Sequence, residues 1–288
     1  MTTLLSKKQF SRIFSSANAN NPINKSEDGT IFSIQLDQPI MFPNDSFDCT
    51  AEVVGASVWN TVPNVSVNLA NNRLYVFYSG TLYTVVLPDG LYSVSSLNAQ
   101  VMKSLVNQGL PGDVVSIIGN QSTQRIVLSF NYVGSYVDFT GSNSCKNLLG
   151  FDSRLVPVAP TTIVSQSEDG DSTAQFNNIE SFLIKSDLVS GNIPTNKDSE
   201  QTIALIPINA KTGDQILYNP YNASRVDASN LKGLGRTYAT FRLTDEKGSP
   251  AITNEDFSIQ MVFRYSVFQQ VMVNRSEQKS KIYFIFFS

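Results

Sequence analysis

The sequence predicts a mainly β protein, a jelly-roll β-sandwich interrupted by a small α+β insertion domain. Three observations lead there. Strand-like alternation recurs along most of the chain: Phe32, Ile34 and Leu36 alternate with Ser33 and Gln35, and Phe257, Ile259, Met261, Phe263 and Tyr265 with Ser258, Gln260 and Arg264. Clusters of turn-forming residues separate these runs, as at 168–172, 192–197 and 245–250. Against that background there is a single helical periodicity, in which Val94, Leu97, Val101 and Leu105 recur at spacings of three and four and so share one helix face.

Residues 1–27 read as a flexible N-terminal arm, because positions 16–26 are mostly Ser, Ala, Asn and Pro. Within it Lys7, Lys8 and Arg12 stand among Leu4, Leu5, Phe10, Ile13 and Phe14 with no acid nearby, which suits docking on a neighbouring subunit or on acidic cargo. A solvated tail explains the same residues. Residues 28–70 read as the first part of the jelly roll. They hold the strand around Phe32, breaks at Pro39 and Pro43, a long run over 47–59 ending in the sole tryptophan, Trp59, and a further strand over 65–69. That tryptophan is expected to anchor the core.

Residues 71–151 read as the insertion domain. Two short strands, over 74–78 and 82–87, precede the helix; Ser93 or Ser95 can cap its start, and Gly109 with Pro111 ends it. Strands over 124–130 and 136–139 follow, then a turn over 144–149. Residues 152–288 read as the second part of the jelly roll, with strands over 161–165, 179–184, 202–206, 215–218, 238–243, 257–265 and 281–287. Together the two flanks supply about eight to ten strands, enough for a two-sheet jelly roll. No repeat of 20 to 50 residues is present, which argues against a propeller or solenoid. The run Ile282-Tyr-Phe-Ile-Phe-Phe287 leaves no polar face, so a strand here must be covered on both sides, within the fold or between subunits. Ile282, Phe284 and Phe286 are therefore candidate interface residues, as are Lys7, Lys8 and Arg12.

Composition excludes much chemistry. The 288 residues contain no histidine, which removes imidazole general-base catalysis, Ser-His-Asp and Cys-His arrangements and histidine metal sites. Cys49 and Cys145, the only cysteines, fall in different predicted domains and are expected to be buried thiols. A net charge of −3 gives no global reason for nucleic-acid binding, which is expected at most through the N-terminal arm. No long apolar run follows the first charges, and no stretch is long enough for a membrane span, so a leader and a membrane span are not expected. Charged residues make up only 16%, which leaves a surface suited to subunit contacts.

A hydrolase reading would draw on two carboxylates from Glu168, Asp169, Asp171, Asp187, Asp214, Asp245, Glu246, Glu255 and Asp256. Most lie in Gly- or Pro-containing turns, where acids face solvent and cap backbone N–H groups, and no spacing pairs two of them across a cleft. The oxygens of Glu168-Asp-Gly-Asp171 cluster as calcium ligands do, but lack the alternation and distal glutamate of an EF-hand loop. Gly233-Leu-Gly235-Arg236 lacks the third glycine and the helix of a dinucleotide fold. No catalytic, cofactor or metal residue is assigned, and the chain is not expected to be an enzyme.

Six segments carry a family resemblance. Asp28-Gly-Thr-Ile-Phe-Ser-Ile-Gln-Leu-Asp-Gln-Pro-Ile40 and Trp59-Asn-Thr-Val-Pro-Asn64 resemble the opening of capsid proteins from virophages and related Polinton (Maverick) DNA elements. Gly90-Leu-Tyr-Ser-Val-Ser-Ser-Leu-Asn98, with Leu148-Leu-Gly-Phe151, is similar to a module of such virion proteins and of some phage fibres. Gln215-Ile-Leu-Tyr-Asn-Pro220 and Phe241-Arg-Leu-Thr-Asp-Glu-Lys-Gly248 resemble their last strands. Over most of residues 28–265 the pattern is similar to that of the penton, which fills the fivefold vertices of an icosahedral shell.

The resemblance implies an upright jelly roll, an outward insertion, a homopentamer at each vertex and the trimeric major capsid protein as neighbour. It places the protein in the virion, made in the host cytoplasm or nucleus, with residues 71–151 as the region for a host receptor. The adenovirus penton base is a remoter analogue whose Arg-Gly-Asp is absent here, so no receptor carries over. The alternative is a trimeric receptor-binding spike or fibre head. It has the same fold class, but would more often follow a repetitive shaft. Tyr75, Tyr78, Tyr83, Tyr92, Tyr132 and Tyr136 are the insertion's candidate contact aromatics, with core packing as the plainer reading of each. If residues 1–27 are a docking arm, deleting residues 1–20 should spare folding and weaken only incorporation at the vertex.

Overall fold

The structure, a computed structural model, describes residues 2–17, 22–159, 165–177, 179–190 and 201–271. Its strands in chain order are β1 (Thr2–Ser15), β2 (Pro22–Lys25), β3 (Ile31–Ile40), β4 (Phe47–Trp59), β5 (Arg73–Tyr78) and β6 (Thr81–Val86). Helix α1 (Val94–Asn107) precedes β7 (Val115–Asn120), β8 (Arg125–Phe130) and β9 (Tyr136–Asp138); α2 (Lys146–Leu149) precedes β10 (Leu155–Val156) and β11 (Gln166–Asp169). The chain continues through β12 (Ser181–Ser186), β13 (Thr202–Pro207), β14 (Gln215–Tyr218), β15 (Arg225–Asp227), β16 (Arg236–Asp245) and β17 (Ser258–Val271).

Two five-stranded antiparallel sheets form the sandwich. One runs β1-β17-β4-β14, with β15 also pairing β4; the other runs β13-β12-β16-β3-β2. Most connections outside the insertion cross between sheets, as β3 to β4, β13 to β14, β15 to β16 and β16 to β17 do. This is the jelly-roll manner of winding a two-sheet core. The inward residues are those the alternation selects. Ile259, Met261 and Phe263 on β17 face Phe32 and Ile34 on β3 and Phe241 and Leu243 on β16, all at most 5% exposed. Phe241 packs on Phe14 and Phe32 at centroid distances of 4.7 and 5.2 Å.

A second core lies wholly between Val65 and Val156, with Ala174 and Phe176 packed against it. It is enclosed by α1, the sheet β10-β9-β5-β6 and the sheet β11-β8-β7. Leu97, Val101 and Leu105 form the buried face of α1. Ser93 caps the helix in a reciprocal capping box with Ser96, and Gly109 ends it at φ 80°.

The structure differs from the sequence reading in several places. Residues 2–15 form a strand rather than an arm, pairing residue for residue with β17 from Thr2–Val271 to Ser15–Ser258. As an edge strand it buries only Phe14 fully and Phe10 in part, so its polar positions show no period of two. The small unit also outruns position 151, because β11 completes its three-stranded sheet by pairing β8. Residues 65–69, read as a strand, form a bridge at Val65 followed by a turn. Residues 161–164, 192–197 and 281–287 lie outside the described residues, and Ile282, Phe284 and Phe286 with them.

Candidate functional site

The junction between the two cores rests on one buried side chain. Asn64, 1% exposed, follows β4 where the chain leaves the sandwich. Its Nδ2 donates to the carbonyls of Tyr92 at 2.8 Å and Phe176 at 2.9 Å, and its Oδ1 accepts from the Tyr92 N–H at 2.8 Å. The outgoing chain, the entry to α1 and the returning chain are thereby tied at one point. A short polar side chain with both donors and an acceptor is what three converging backbones require.

On the sandwich, β1 displays the predicted cations. Lys7, Lys8 and Arg12 are all exposed, opposite Ser266, Tyr265 and Met261 of β17. Arg12 reaches across the flank to donate to Gln38 Oε1 at 3.5 Å. Lys7 and Lys8 border a groove together with Arg225, Arg264 and Asp48. Beneath it lies a residue the sequence reading missed. Glu52 points to the outer face of β4 but is only 6% exposed, because Arg264 and Arg225 close over it. Arg264 Nε donates to Oε1 at 2.8 Å and Arg225 Nε to Oε2 at 3.4 Å, while Arg264 also bonds the Gln9 side chain. Glu52 thus joins β4, β15, β17 and, through Gln9, β1. Its carboxylate is held by fixed cations, as a buried charge must be.

Six of the nine carboxylates weighed for hydrolysis are engaged by neighbouring groups. Asp171 takes a two-pronged contact from Arg154, Nε to Oδ2 at 3.1 Å and Nη2 to Oδ1 at 2.9 Å, with Glu168 at 4.0 Å from the same guanidinium. That hydrogen bond holds the Asp171 carboxyl below the usual carboxylate range. Two of the three carboxylates of the calcium-like cluster are therefore already engaged by one arginine. Asp187 Oδ1 accepts the Thr240 N–H, Asp245 Oδ1 caps Lys247 and Ser249, and Glu246 Oε2 accepts from Glu180 and Ser181. Asp256 pairs with Lys25 and accepts from Ser16 Oγ at 2.7 Å; its pKa is depressed chiefly by the Lys25 bond. These groups brace turns and strand ends. Among the described residues, no three His, Cys, Asp or Glu side chains are placed to hold a metal ion. Gly233 sits at φ 70° beside Asn44 in a turn leading into β16, a strand where a dinucleotide fold has a helix.

Of the six tyrosines, only Tyr75 and Tyr136 stand on the outer face of the sheet β10-β9-β5-β6. Register places Phe77, Leu82 and Val86 on that same face, since Leu74, Val76, Val85 and Val137 fill the other. Phe77 and Tyr136 stack at 4.5 Å, and Leu82 and Val86 are 48% and 55% exposed. Tyr83 packs against the core, Tyr78 meets Tyr132 edge to face at 5.4 Å, and Tyr92 donates its hydroxyl to the Pro88 carbonyl. Phe77, Leu82 and Val86 escape a tyrosine-based reading, although their period-two spacing with Tyr75 carries the signal.

Cys49 and Cys145 are free and buried, one in each core, and burial pushes the Cys145 thiol up to about 12. No described helix is long and apolar enough to cross a membrane.

Comparison with protein-family models and with curated proteins finds no match for this chain. Among solved structures, the chain is similar to the selenomethionine-labelled mavirus penton protein, with a TM-score of 0.48 and 10% identity over 90% of this chain and 99% of that one. It is also similar to a chain of the Sputnik virophage structure obtained by electron cryo-microscopy at 3.5 Å resolution. The TM-score there is 0.42 and the identity 13%, over 89% of this chain and 97% of the other.

Proposed function

We propose that this chain is a structural virion protein, the penton at the fivefold vertices of an icosahedral capsid. The observation that carries this reading is the architecture itself: a jelly-roll sandwich whose two halves close on each other around a separately cored insertion. A sandwich of this kind supplies rigid flanks for side-by-side packing, and a closed ring multiplies contacts that are individually weak. The insertion, tied at Asn64, is carried as a separate body on the side of the sandwich where β4 ends. It faces outward, and its Tyr75, Phe77, Tyr136, Leu82 and Val86 face is where a host receptor would dock. Six of the nine carboxylates weighed for hydrolysis are engaged by an arginine, a lysine, a serine or backbone N–H groups, which supports a role without catalysis. The neighbours are further copies of the chain and the major capsid protein.

The test is location in the particle. Antibody fragments raised against residues 71–151 should decorate intact virions only at fivefold vertices. Decoration spread over the faces, or on projecting threefold spikes, would overturn the assignment; the latter would favour the receptor-binding spike.

A further inference from the structure

The first sheet ends in a free edge. β1 bonds β17 along one side through all fourteen residues, and among the described residues no strand pairs its other side. A strand this long with unpaired N–H and C=O groups is a template for another strand. Beside it lies uncovered apolar surface. Leu5 stands opposite Phe268, which stacks on Phe47 at 4.8 Å, yet Leu5 and Phe268 are 52% and 61% exposed and Leu4 is 53% exposed. Farther along, Ile13 is 73% exposed.

The chain itself carries a fitting occupant. β17 ends at Val271, opposite Thr2 at the start of β1. Residues 282–287 beyond it are Ile-Tyr-Phe-Ile-Phe-Phe, without Pro, Gly or charge, and such a run must pair and be covered. Reaching the far side of β1 from β17 takes two strand spacings, about 10 Å. The intervening residues 272–280 can extend to about 30 Å and are rich in polar turn-formers. β4 pairs the other side of β17 as far as Ser266, and β14 and β15 form the far edge of the sheet, so β1 is the longest open edge within two spacings of Val271.

We propose that residues 281–287 add to the free edge of β1 in the same chain, as a sixth strand running parallel to β1 from its Leu4–Leu5 end. A tether this short sets a high local concentration and favours the chain's own edge over a neighbour's. One apolar face of the added strand then covers the Leu5–Phe268 side. The other widens the apolar flank offered to a second copy. The opposing reading is that Lys7, Lys8 and Arg12 guard an edge that stays open, as edge lysines commonly do.

Hydrogen exchange on the full chain and on a chain lacking residues 281–288 separates the two. In the full chain, the β1 amides that face away from β17 should exchange at least about tenfold more slowly than in the truncated chain. Equal rates would overturn the proposal. As a second readout, Leu5→Cys is combined in turn with Tyr283→Cys, Phe284→Cys or Ile285→Cys. Mild oxidation should close a disulfide within one chain, seen as a faster-migrating monomer band. Disulfide-linked dimers would place the segment on another copy, and no cross-link in any pair would remove it from the edge; either overturns the proposal. Neither readout depends on the number of copies in the assembly, so failure here leaves the vertex assignment standing.

Discussion

Asn64→Ala tests the idea that one side chain ties the insertion to the sandwich. The substitution removes three hydrogen bonds of 2.8 to 2.9 Å and leaves the Tyr92 N–H and the Tyr92 and Phe176 carbonyls without their partner. A buried group stranded in this way costs about 1–3 kcal/mol, and partial access to water at Tyr92 favours the low end, so the sum is about 3 kcal/mol. With a urea dependence of about 2 kcal/mol per molar, the midpoint should fall by about 1.5 M. Urea unfolding would be followed by far-ultraviolet circular dichroism, which reports α1, and by fluorescence of Trp59, which sits at the end of β4. The helix signal should carry the loss and the tryptophan signal should move less, because Asn64 caps the insertion rather than the sandwich core. Asn64→Asp keeps the acceptor for Tyr92 but loses both donors, and should fall between wild type and alanine. A shift below about 0.3 M for alanine would refute the argument that this contact holds the junction.

Three further outcomes follow from the same geometry. Deleting residues 1–20 should destabilise the sandwich, because β1 brings Phe14 into the core and stacks Phe10 on Phe263 at 5.1 Å; unchanged thermal unfolding would show that β1 adds nothing. Gly150→Ala should cost more than about 2 kcal/mol in chemical unfolding, since a Cβ there would sit 2.4 Å from the Ser172 carbonyl oxygen at φ 76°, whereas Gly134→Ala, with the same sign of φ but open space, should cost less. Acid should weaken both cores in step with their clasps. Asp171 and Asp256 have pKa values below their unfolded values, so their contribution is complete above pH about 4 and is lost as pH falls through the depressed values. Asp171→Asn should flatten that acid limb for the insertion, and an unaltered pH profile would refute the role of the Arg154 clasp.

Much of the fold is legible in the sequence wherever one face is buried and the other wet. Val94, Leu97, Val101 and Leu105 mark α1 because the helix has a single core face, and Phe257 to Tyr265 mark β17 because it is central in its sheet. β1 is not legible, because an edge strand with charged and apolar positions on both faces lacks alternation, and Phe10 and Phe14 are spaced like a helix turn. Strand β7 passes unnoticed for the opposite reason: Val115 and Ile117 are buried but Ile118 and Gly119 break the pattern. The assembly-face candidates divide in the same way. Lys7, Lys8 and Arg12 can be named from composition. Glu52 cannot, since its arginines lie 173 and 212 residues away and only the sheet brings them together. The outer aromatic face of β5 and β9 required the register, which pairs Phe77 with Tyr136 across strands far apart in the chain.

The central claim, a fivefold vertex protein, is tested most directly by the mass of the purified chain in solution, measured by light scattering with imaging of the main species. The account predicts a ring of five, at five times the chain mass of 31.7 kDa, with the insertions on one face. A stable particle at three times that mass would contradict it and point to the spike.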